Sequence, residues 1–91
     1  MNTEGLLKEA RTIWGDLQMD KQEIAVALGV VYGDICRQIR DGFSDDEELK
    51  KECGNVVFSM IRWMSDLGFE AEECISKAID AQRSYVEKGG R

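Results

Sequence analysis

No proline stands anywhere in these 91 residues, and apolar side chains recur along most of the chain at spacings of three and four. Proline is the residue that most sharply ends or kinks a helix, and a three-four rhythm places apolar groups on one helical face. The two features together predict an all-α chain, read here as four helices in an antiparallel, bundle-like domain. Residues 1–88 form the single domain, and Gly89-Gly90-Arg91 follow as a flexible tail.

The first helix is expected from Thr3 to Asp16, with Leu6, Leu7, Ala10, Ile13 and Trp14 in phase and Gly15-Asp16 weakening its end. Asp20-Lys21-Gln22-Glu23 then reads as a capping box, in which Asp20 accepts from the backbone and Glu23 reaches back. It opens a second helix from Lys21 to Arg40, striped by Ile24, Leu28, Val31, Ile35 and Ile39, with Gly42 as its stop.

Ser44-Asp45-Asp46-Glu47 repeats the capping pattern, and its acids suit the positive end of a helix dipole. The third helix is expected to reach Leu67. It carries Leu49, Cys53, Val56, Met60, Trp63 and Leu67 on one side and Val57, Ile61 and Met64 in an adjacent row. So wide an apolar face calls for several neighbouring helices or a second subunit. Gly68 ends that helix. The fourth is expected from Glu70 to Glu87 with Cys74, Ile75, Ala78, Ile79 and Tyr85 turned inward. The short links favour antiparallel packing, and a chain this small often gains core by self-association, as a homodimer or tetramer.

Charge and composition narrow the function. A net charge of -6 argues against nucleic acid and against anionic membranes as partners. There is no histidine, so histidine ligands, histidine acid/base catalysis and Ser-His or Cys-His nucleophiles are excluded within this chain. Cys36, Cys53 and Cys74 are too scattered for a zinc signature and odd in number. They read as small apolar residues in a reducing, cytoplasmic setting. No export signal and no membrane-spanning run is expected, because Thr3-Glu4 is polar and every apolar run is soon broken.

Ala25-Val26-Ala27-Leu28-Gly29, Gly33-Asp34-Ile35 and Lys51-Glu52-Cys53-Gly54-Asn55-Val56-Val57-Phe58 carry the chemical signal. From Ala25 to the chain's end the sequence resembles the all-α nucleoside triphosphate pyrophosphohydrolases, the MazG-like family. That family's motif is E-E-x-x-E followed, after a variable gap, by E-x-x-D on the next helix. Such spacings point carboxylates into a common cleft, where Mg²⁺ clamps a triphosphate and activates water. The resemblance implies a MazG-like fold, Mg²⁺ or Mn²⁺ as cofactor, a nucleoside triphosphate as ligand, and a nucleoside monophosphate and pyrophosphate as products. Seventeen residues separate Asp34 from Glu52, which suits the family gap. Asp66-Leu67-Gly68 and Glu72-Glu73 also match.

In this register Asp34 takes the third acid position, Glu52 the fourth, and Asn55 stands for the closing aspartate. These three are the implied metal residues. Val30 and Val31 occupy the first two glutamate positions. Lys77 and Arg83 match phosphate-binding positions of the last helix, where Asp80 and Ala81 replace a further Lys and an Asn. Trp14 is the candidate wall of a base pocket. Three of five acids are thus replaced, and a neutral amide offsets little of a divalent charge. Weak or absent turnover is expected, and no residue stands out as a catalytic base. The alternative is a non-catalytic binding or oligomerisation module with an apolar cleft.

Overall fold

The computed structural model describes residues 1–40 and 46–90. Four helices follow one another: α1 Thr3–Trp14, α2 Lys21–Arg40, α3 Asp46–Asp66 and α4 Ala71–Glu87. No strand occurs among the described residues. Gly42, Ser44 and Asp45, expected to end one helix and cap the next, lie outside the described residues.

Local chemistry explains the helix ends. The Gly5 N–H donates to Asn2 Oδ1 at 2.8 Å, which caps α1. At α2 the expected capping box is complete. The Glu23 N–H donates to Asp20 Oδ1 at 2.8 Å, and the Asp20 N–H donates to Glu23 Oε1 at 3.0 Å. Past α3, Gly68 takes φ +82°, its N–H donates to Ser65 O, and the Phe69 N–H reaches Met64 O. This is a Schellman stop, and a β-carbon is strained at that backbone angle. Gly89 and Gly90 close α4 in the same way, through Val86 O and Tyr85 O.

α3 is the axis of the molecule: α1, α2 and α4 all pack on it. Its breadth of apolar surface is what permits this. The central cluster joins Ile24 and Val31 of α2 to Trp63 of α3, with Met19, Ala27, Leu28, Val56, Met60 and Leu67 packed around them. The start of α2 therefore lies beside the end of α3, and the two run antiparallel. Ala10 and Ile61 complete the buried apolar set. Each large side chain so buried contributes about 1.5–3 kcal/mol.

An ion pair fastens α1 to this core. Arg11 Nη2 lies 2.7 Å from Asp66 Oδ1 and also donates to Ser65 Oγ at 3.1 Å. Asp66 Oδ2 accepts the Met19 N–H at 3.2 Å, and the Asp66 side chain has no solvent exposure. One carboxylate thus holds α1, the α1–α2 link and α3 together.

α4 departs from expectation. Cys74, Ile75, Ala78, Ile79 and Tyr85 were expected to turn inward, yet no residue of α4 is buried. The helix is anchored near its start, where Thr3 Oγ1 donates to Glu72 Oε1 at 3.0 Å, and then runs along solvent. A three-four stripe shows that a helix has an apolar face; it does not show what covers that face.

Candidate functional site

A groove runs between α2 and α3, and α1 closes one end of it. Its two halves differ in chemistry. Asn55 and Phe58 line both.

The apolar half is an open cleft of about 440 Å³, within the usual size of small-molecule sites. Val30, Val31 and Ala27 come from α2, Ala10 and Trp14 from α1, and Asn55, Phe58, Ser59, Arg62 and Trp63 from α3. Asn55, Phe58, Ser59 and Arg62 fall at i, i+3, i+4 and i+7, so helical geometry alone puts them on one face. That spacing is present in the sequence, but Ser59 and Arg62 lie beyond the stretch that ends at Phe58, and nothing in an acid motif points to them.

Trp14 sits at the rim with most of its ring exposed, and the Arg62 guanidinium lies 4.5 Å from the ring centroid. The same guanidinium contacts Met19 Sδ at 3.2 Å. A cation held over one face leaves the indole fixed as a flat wall. Trp63 is 2% exposed, and among the described residues its Nε1–H finds no acceptor; neither does Arg62 Nε. Buried donors without partners are uncommon and costly. A bound acceptor atom would satisfy them.

The polar half gathers the residues that the motif singled out. Asp34 from α2 and Glu52 and Asn55 from α3 line one cavity of about 420 Å³, with Lys51, Gly54 and Phe58. The antiparallel packing of α2 on α3 is what brings them together. Lys77 and Arg83 do not line this cavity. Arg83 lines a separate shallow hollow on α4 with Gln82, Val86 and Glu87.

Each carboxylate of the polar half has a cation beside it. Arg37 Nη2 donates to Asp34 Oδ1 at 3.1 Å. Lys51 Nζ lies 3.7 Å from Glu52 Oε1 and hydrogen-bonds Glu48. The bond to Glu48 and that carboxylate's charge hold the Lys51 ammonium above its ordinary pKa, with a smaller contribution from Glu52. Asp34 and Glu52 are thus each accompanied by a cation, but Lys51 is shared with Glu48, its closer partner, so the cluster keeps a slight excess of negative charge. Asn55 Oδ1 already accepts from Ser59 Oγ at 3.3 Å. Among the described residues no group of three or more acids or thiols could hold a metal ion.

A divalent cation, which prefers several anionic oxygens, does not fit this donor set. One feature runs the other way: Glu52 Oε2 is buried and accepts no hydrogen bond from the described residues.

The two adjacent valines of α2 differ. Val30 is 61% exposed on the groove wall, whereas Val31 is 9% exposed and belongs to the core cluster. No described helix is long and apolar enough to cross a membrane.

No family model matches this chain, and neither does any curated protein or solved structure.

Proposed function

We propose that this chain is a relative of the MazG-like pyrophosphohydrolases that keeps the α2–α3 groove as a binding site and hydrolyses triphosphates weakly or not at all. The observation that carries this reading is the charge balance of the polar half. Its two carboxylates, Asp34 and Glu52, are each accompanied by a cation, Arg37 and Lys51. A metal triphosphate needs a strongly anionic metal cradle, and this half of the groove offers only two carboxylates, each with a cation already beside it. The apolar half supports a ligand with a flat, weakly polar part, placed between Trp14 and the Val30 wall with an acceptor for the Trp63 Nε1–H. Nucleosides and nucleotides belong to that class.

The test is pyrophosphate release from a panel of nucleoside triphosphates with Mg²⁺ or Mn²⁺, with Glu52→Gln run in parallel. Release no greater than that of Glu52→Gln is expected. Thermal unfolding with the same nucleotides should show stabilisation of equal size with and without metal, reduced in Trp14→Ala. Efficient turnover that disappears in Glu52→Gln would overturn the proposal. It would establish instead a reduced catalytic site, the second reading, which the unpartnered Glu52 Oε2 favours.

A further inference from the structure

The lining of the apolar half has a sign. Among the residues that line it, Arg62 alone is charged, and no acid is present. In a chain of net charge -6 this is a local inversion. The acids of the groove gather instead in the polar half, around Asp34 and Glu52.

Arg62 also lacks a carboxylate. Asp66, one turn further along α3, is taken by Arg11 and by the Met19 N–H. Among the described residues no acid forms an ion pair with Arg62. Its guanidinium meets the Met19 thioether and the face of the Trp14 ring, and its Nε–H is buried without an acceptor. A guanidinium keeps its charge at any working pH, and a thioether is a weak acceptor. Charge and donor are therefore both left unanswered. The next residue, Trp63, adds a second buried donor in the same condition.

We propose that the cleft takes a small flat acid, one or two fused aromatic rings carrying a carboxylate. The carboxylate pairs with Arg62 and accepts from the Trp63 Nε1–H, and the ring lies between Trp14 and Val30. This rests on the cleft being a ligand site, as proposed above, and adds the charge and head group of its occupant. A carboxylate brings one negative charge and two acceptor oxygens, which match in number one unpaired cation and two unanswered donors. A neutral ring leaves the Arg62 charge unpaired. A polyphosphate carries more charge than one guanidinium can answer, and along the groove it meets the slight negative excess around Asp34, Glu52 and Glu48.

An NMR titration of the intact chain at pH 7 with 2-naphthoate, 2-naphthamide and 2-naphthyl phosphate tests this. The three probes share one ring and differ in head group. The carboxylate should bind at least about tenfold tighter than the neutral amide, as a charge-assisted hydrogen bond allows. It should also move the Trp63 indole N–H resonance downfield. The phosphate should bind more weakly than the carboxylate. Arg62→Gln should bring acid and amide to within about twofold of each other, and Arg62→Lys should keep the preference. An amide that binds wild type as well as the acid, a phosphate that binds best, or a preference that persists in folded Arg62→Gln would each overturn the inference and leave the cleft a ligand site. Failure of all three probes, beside nucleotide stabilisation that Trp14→Ala reduces, would overturn this inference alone. Failure of the probes and of every nucleotide would overturn both readings.

Discussion

Val30 and Val31 are neighbours in sequence and opposites in circumstance. Val31 packs against Ile24 and Trp63, while Val30 faces the open groove. A glutamate at 31 would bury an unpaired charge. Val31→Glu should therefore cost at least about 3 kcal/mol in urea unfolding, whereas Val30→Glu should stay within about 0.5–1 kcal/mol. The sequence places two valines side by side. It does not show which valine is core, because adjacent helical residues point about 100° apart and only the position of α3 decides between them. Asp66→Ala should cost about 3 kcal/mol, since it leaves Arg11 and the Met19 N–H without their partner. Lys51 offers a titration test. Its folded pKa is raised, so the ammonium form is favoured by folding. That contribution is complete below its unfolded pKa near about 10.5 and is lost as pH rises through the higher folded value. In Glu48→Gln, a side-chain NMR titration of Lys51 should move down toward the ordinary value.

Helix ends were the most legible elements because their chemistry is local. Asp20 and Glu23 lie three residues apart and satisfy each other's backbone without help from the rest of the fold. Asp20→Ala should cost about 1 kcal/mol, and amide exchange should show the loss first at the start of α2. The breadth of α3 was legible too, and it became the axis on which three helices pack. The cover of α4 was not, because periodicity describes one surface and a contact needs two. The groove falls between these cases. The Asp34, Glu52 and Asn55 spacing was readable and does line one cavity. The cations were not read with them. Arg37 is an ordinary i+3 neighbour of Asp34, and Lys51 meets Glu52 only through its side-chain geometry.

At the scale of the molecule, the core is modest and α4 runs along solvent. The Arg62 bridge from Met19 to the Trp14 ring has an optical consequence. The two indoles of this chain occupy opposite ends of the polarity scale, one at the wet lip of the cleft beneath a cation and one at its dry floor. Their emission therefore carries two signals. Trp14 should emit to the red and change colour when the cleft fills. Trp63 should emit to the blue, move slightly when a ligand's acceptor reaches its Nε1–H, and shift far to the red only when the core opens. The chain contains its own label-free reporter, able to tell occupancy from unfolding.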